Sequence, residues 1–119
     1  MRTPFQTAIL IALLFKRSEK SRARISKLTI KNLSKRKLLR SVFIEMLTDE
    51  LDSLGIIFIE LERDGFGLIS ASALNGAPAI TAKKFLIDDL KKLRRKEINF
   101  DDILNELDGS EDSDEDEDY

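Results

Sequence analysis

The side chains that most often do chemistry are missing from this sequence. It has no histidine and no cysteine, which removes the commonest general base, the commonest metal ligand and every thiol nucleophile or disulfide. Carboxylates, hydroxyls and cations remain. Asp88 and Asp89 are adjacent, so on a helix they point to different faces, and no nucleophile accompanies them. Asp101 with Asp102, or the carboxylates after them, could collect Ca²⁺ or Mg²⁺ loosely, but they lack the fixed ligand spacing of a metal loop. The run Asp64-Gly65-Phe66-Gly67 has too few glycines and no following lysine for a phosphate loop. The residue types therefore point away from an enzyme, and no catalytic, cofactor or metal site is expected.

Charge carries the strongest signal. A net charge of -2 conceals two opposed blocks. Eleven cations, Lys16, Arg17, Lys20, Arg22, Arg24, Lys27, Lys31, Lys35, Arg36, Lys37 and Arg40, stand against the single acid Glu19 between positions 16 and 40. From Asp101 to Tyr119 there are eleven acids and no base. Such asymmetry points to a polyanionic partner for one block and a solvating or competing tail in the other. With 42% hydrophobic residues in 119, the chain can build one real core. We expect one domain over 1–108 and a disordered acidic tail over 109–119, because the tail has almost no apolar surface to offset its ordering entropy. The run from Ala8 to Phe15 is only eight residues long and is followed by Lys16 and Arg17. It is too short to span a bilayer and is a poor signal peptide, which implies a buried helix in a cytoplasmic protein.

The elements that position these charges follow from caps and periodicity. Thr3 and Pro4 start a helix that is apolar nearly all round from Phe5 to Phe15. Ile25, Leu28, Ile30 and Leu33 suggest an extended stretch over 24–26 and a short helix over 27–33. Ser34 can cap a long helix to about Ser53 with Leu38, Leu39, Val42, Phe43 and Met46 at helical spacing, and Gly55 ends it. Residues 56–74 read as two strands around Asp64-Gly65. Asn75, Gly76 and Pro78 break the chain. Thr81 then caps a helix over about 82–96, and Asn99 caps a last one ending at Gly109.

A helix, a short second helix, a capped third and a hairpin make the region from about 4 to 75 resemble the winged helix-turn-helix superfamily. The resemblance rests on element order and on the passage from LRSVFIEMLTDELDSLGI into FIELERDGFGLI, without a signature motif. The fold class is then mainly α with a β-hairpin, extended by C-terminal helices. It implies duplex DNA as partner and transcription regulation, or a DNA-associated accessory role, as function. Residues 35 to about 54 become the recognition helix, its N-terminal portion leading into the major groove. With Leu38, Leu39, Val42 and Met46 inward, Lys35, Arg36, Lys37, Arg40, Ser41 and Ile44 are the expected contacts. Lys16, Arg17, Lys20, Arg22, Arg24, Lys27 and Lys31 supply backbone contacts.

A second argument does not depend on that resemblance. Lys35, Arg36 and Lys37 in a first helical turn, and Asp49, Glu50 and Asp52 in a last one, oppose the helix dipole at about 0.3–1 kcal/mol each, and bound phosphates would reverse the N-terminal penalty. The hairpin, with Glu60, Glu62 and Asp64 against Arg63, is ill suited to phosphates and suggests packing on protein.

Lys83, Lys84, Lys91, Lys92, Arg94, Arg95 and Lys96 read first as a solvated helix face, since Asp88 precedes Lys91 and Lys92 by helical spacing. Phe85, Leu86, Leu90, Leu93, Phe100, Ile103, Leu104 and Leu107 read as core, with self-association through the C-terminal helices as a further expectation. The main rival function is a winged-helix module for protein interaction, polymerase-associated, immunity-like or antitoxin-like, with hairpin and acidic tail engaging a basic partner. A winged body with an acidic tail also resembles the organisation of the delta subunit of bacterial RNA polymerase. The tail has three readings: a solubiliser, a ligand for a basic partner, or a competitor for the basic block. An eleven-residue flexible segment reaches roughly 18 Å, which allows self-competition. Deleting residues 110–119 is therefore expected to tighten nucleic-acid binding at low salt in an anisotropy titration, and unchanged affinity removes the brake.

Overall fold

A computed structural model describes the backbone of residues 1–117 and the side chains of residues 1–109. It is mainly helical with one small antiparallel sheet. Where the sequence suggests one domain over 1–108, the chain divides into two compact units, Met1–Ala77 and Pro78–Tyr119.

In the first unit, helix α1 (Pro4–Ser18) opens with a capping box. Thr3 accepts from the Gln6 backbone N–H, and the Gln6 side chain accepts from that of Thr3. Strand β1 (Arg22–Ile25) leads directly into helix α2 (Lys27–Ser34), capped by Ser26, whose hydroxyl accepts from Thr29 N–H at 3.1 Å. Helix α3 is Ser41–Ser53, followed by strands β2 (Ile56–Glu60) and β3 (Phe66–Ser70). The sheet order is β1-β3-β2, so the extended stretch before α2 becomes a third strand beside the hairpin. Leu68 on the central strand pairs with Ala23 on one side and Phe58 on the other, which gives the strands their common inner face. A short helix α4 (Ala71–Asn75) follows where the sequence suggested strand.

The core is one cluster fed by every major element of this unit. Ala8, Ile11 and Phe15 come from α1, Ile30 from α2, Phe43, Leu47 and Leu51 from α3, and Ile25, Ile56, Phe58, Phe66 and Leu68 from the sheet. Phe58 and Phe66 stack with ring centroids 4.6 Å apart. The reading of α1 as buried all round is corrected. Phe5, Ile9, Leu13 and Leu14 are 40–53% exposed, because α2 and α3 cover only one side of it.

Two corrections concern α3. Its start lies at Ser41, not at Lys35, because Lys35 takes a left-handed conformation (φ 55°) and closes α2. The Lys35 and Arg36 N–H groups both bond to the Lys31 carbonyl, and the Ser34 hydroxyl, fully buried, donates to the same carbonyl instead of capping α3. Its buried stripe is Phe43, Leu47 and Leu51, while Leu38, Val42 and Met46 are 51–64% exposed. Apolar residues stand on two faces of this helix, and the stripe at strict four-residue spacing, carrying the largest ring, takes the core.

In the second unit, the helix suggested over 82–96 is broken at Leu86 into α5 (Ala82–Phe85) and α6 (Ile87–Arg95). Thr81 caps α5 and Asn99 caps α7 (Phe100–Glu117). Helix α7 runs past Gly109, where both its end and a disordered tail were expected, since a helix once formed adds one hydrogen bond per further residue and one glycine costs only about 1 kcal/mol. Asp118 and Tyr119, the end of that tail, lie outside the described residues. Among the described residues, no helix is long and apolar enough to cross a membrane.

The hairpin turn constrains one glycine strongly. Gly65 has φ +82°, and a Cβ there would lie 2.6 Å from the Ile25 carbonyl oxygen, whereas Gly55, at φ +80°, has open space around it. Gly55→Ala is expected to cost about 1 kcal/mol for its left-handed backbone. Gly65→Ala should cost clearly more in the same urea melt, and equal costs would contradict the close approach of β1 to the turn.

Candidate nucleic-acid interface

The six residues from Lys35 to Arg40 form the turn between α2 and α3, and internal contacts set its shape. The Arg36 guanidinium lies 3.9 Å from the Phe43 ring centroid and donates through Nη2 to the Arg2 carbonyl at 3.0 Å. Arg2 in turn donates through its backbone N–H to Ser34 O at 2.8 Å and through Nη1 to Leu33 O at 3.0 Å. Arg36 is thus a structural clamp, and its Nε is buried without a partner. Expected among the DNA contacts, Arg36 is half-buried instead, with its guanidinium over a ring and bonded to a carbonyl. Ile44, also expected as a contact, is half-buried and packs against the core.

The other turn cations, Lys35, Lys37 and Arg40, are exposed, as is Ser41. The α2 residues Lys27 and Lys31 stand one helical turn apart on one face. Both line a groove of about 440 Å³ together with Leu38, Leu39, Ser41 and Ile44, and its far wall carries Glu45, Glu60 and Phe66. Arg40 occupies the N-cap of α3 but makes no side-chain cap, so the first-turn N–H groups of α3 have no capping side chain. Five cations, Lys27, Lys31, Lys35, Lys37 and Arg40, are therefore carried by α2 and the turn that leads to the start of α3.

The rest of the basic block lies elsewhere. Lys16 and Lys20, at the end of α1, line a separate groove with Leu54, Gly55, Ile56 and Ser70, beside the C-terminal end of α3. A thirteen-residue helix is about 20 Å long, so the two basic groups sit at opposite ends of α3 and do not form one front. Arg17 is exposed beside Lys16. Arg22 and Arg24 lie between the groups, outward on edge strand β1 while Ala23 and Ile25 turn inward.

The dipole argument loses its N-terminal half, because Lys31 and Lys35 close α2, where cations suit the dipole. Asp49, Glu50 and Asp52 do fall in the last turns of α3, where it disfavours them. Helix α3 itself contains no lysine or arginine, and its solvent face presents Val42, Glu45, Met46 and Asp49 at helical spacing. The hairpin tip exposes Glu62, Arg63 and Asp64, and Glu60 faces the lysines of the groove.

Among the described residues, no cluster of His, Cys, Asp or Glu is placed to hold a metal ion. The clamp was not legible in the sequence because Arg36 is one of three consecutive cations and its partners are a ring and a distant carbonyl. Arg36→Ala is expected to destabilise the unit by roughly 1–2 kcal/mol in a denaturant melt. Lys35→Ala and Lys37→Ala should stay within about 0.5 kcal/mol of the parent. Comparison with protein-family models, with curated proteins and with solved structures finds no match.

Proposed function

We propose that Met1–Ala77 is a winged helix that binds duplex DNA, in a cytoplasmic transcription regulator or DNA-associated accessory factor. The element order α1-β1-α2-α3-β2-β3 and the sheet order β1-β3-β2 support the fold. One observation carries the function: Lys27 and Lys31 line a groove with Ser41 at the uncapped start of α3, and Lys35, Lys37 and Arg40 stand in the turn that leads to it, all but Lys31 exposed.

In this reading the turn and the first residues of α3 lead into the major groove. The lysines meet phosphates on either side, and the free N–H groups of α3 add to the same positive field. Arg40 is the one guanidinium of the group placed to address a guanine edge, with Ser41 beside it. The acids Asp49, Glu50 and Asp52 belong to the half of α3 that stays out of the groove. The acidic hairpin takes no part, and Lys16, Arg17 and Lys20 lie too far along α3 to share the same phosphates.

A second reading has its own support. The exposed face of α3, with Val42 and Met46 flanked by Glu45 and Asp49 and without a cation, fits a basic, partly apolar protein surface better than DNA. Anisotropy titration of a random duplex separates the two. With five phosphate contacts, log affinity should fall against log salt with a slope of about -4.5. The paired reversal Lys37→Glu/Arg40→Glu should weaken binding by more than about tenfold, while Lys16→Glu/Lys20→Glu changes it by less than about threefold. Absence of low-salt binding, or binding indifferent to the first pair, leaves the protein-interaction reading in its place.

A further inference from the structure

The second unit, Pro78–Tyr119, has no core of its own among its described side chains. Phe85, Phe100, Leu104 and Leu107 are 54–64% exposed, Leu86 and Leu93 are 46% exposed, and nothing on α5, α6 or α7 is buried. The expectation that these residues form core is corrected: only Leu90 and Ile103 among them are half-buried, Ile103 in a pocket it shares with Asp89 and Lys92 of α6, and the rest are exposed. Chains rarely leave so much contiguous apolar helix surface to water without a partner.

The chemistry of that partner is written on the unit itself. Lys83, Ile87, Leu90, Lys91 and Arg94 line a groove of about 490 Å³ on α5 and α6, so two apolar residues and three cations share its lining. Residues 82–96 contain seven cations and two acids, a net of +5, whereas residues 97–109 contain five acids and no base, a net of -5. Helix α7 carries Phe100, Ile103, Leu104 and Leu107 as one stripe at helical spacing, with Asp101 and Asp108 along one edge and Glu106 along the other. An acidic amphipathic helix is what the groove fits, and α7 is such a helix.

We propose that α7 of a second copy of this chain seats in the α5–α6 groove, and that the exchange is reciprocal. Each copy offers one groove and one acidic helix, so two copies satisfy both at once. The contact is isologous and closes at a dimer. This surface belongs to a unit other than the one proposed to bind DNA, and its test does not use nucleic acid.

Sedimentation velocity of the full chain at roughly 50 µM protein and low salt should give the mass of a dimer. Association should weaken at least about tenfold at high salt, since the charged contacts are screened. Lys91→Glu/Arg94→Glu puts two acids in the groove and takes the net charge of residues 82–96 from +5 to +1, and Glu106→Lys/Asp108→Lys puts two cations beside the apolar stripe of α7 and takes residues 97–109 from -5 to -1, so each variant alone should be monomeric. Mixed in equal amounts, the two variants have both pairings complementary again, and native mass spectrometry should find the mixed dimer. Its recovery also shows that both variants are folded. A wild-type chain that stays monomeric, a dimer that survives either reversal, or a mixture that stays monomeric overturns the proposal.

Discussion

Arg36 lying over the Phe43 ring is the contact on which the basic surface of the first unit depends. The ring belongs to the core stripe of α3 and the guanidinium to the turn, so one interaction ties a buried helix to the loop before it. Arg2 completes the arrangement from the start of the chain by bonding to the last turn of α2. The neighbours of Arg36 are then presented outward without needing contacts of their own. A cation spent inside the protein positions the cations left outside, and the buried Nε without a partner is what that arrangement costs.

Electrostatics in this chain works by separation. The near-neutral total arises because positive charge is concentrated in two stretches, 16–40 and 83–96, and negative charge on α3, the hairpin and the residues after position 96. Within the first unit, cations lie at both ends of α3, Lys35, Lys37 and Arg40 before its start and Lys16 and Lys20 beside its end, while the helix itself carries only acids. A field of that form orients an approaching polyanion before contact. It also explains why the third helix can be acidic in a protein whose most exposed feature beside it is basic.

Much of the fold was legible because its signals are local. Thr3-Pro4, Ser26, Thr81 and Asn99 act as caps, and Asp64-Gly65 lies in the hairpin turn, since each is decided by a few neighbouring backbone groups. The start of α3 was not legible, because it depends on a lysine adopting a left-handed backbone where glycine or asparagine is the usual signal. The buried face of α3 was misassigned for a related reason: Leu38 seemed to extend the stripe of Val42 and Met46, and only the true start shows that Phe43, Leu47 and Leu51 share the core. Of the candidate site, the residue types were readable and their grouping was not. Eleven cations contiguous in sequence separate in space because α1 ends beside the far end of α3, and no periodicity encodes that distance. The break at Leu86 carried no glycine or proline to announce it.

The order of the sheet has one more implication. Placing β3 in the centre leaves β1 and β2 each with an open side. Strand β1 is four residues long and carries Arg22 and Arg24 outward, which discourages another chain from pairing with it. Strand β2 has no such protection. Its Ile56-Ile57-Phe58-Ile59 run is rich in β-branched and aromatic residues, uncharged until Glu60, and among the described residues it pairs along one backbone edge alone. The segment that completes the core thus also has the composition that stacks as cross-β when exposed, and α3 packed against it shields it as well as holding the fold.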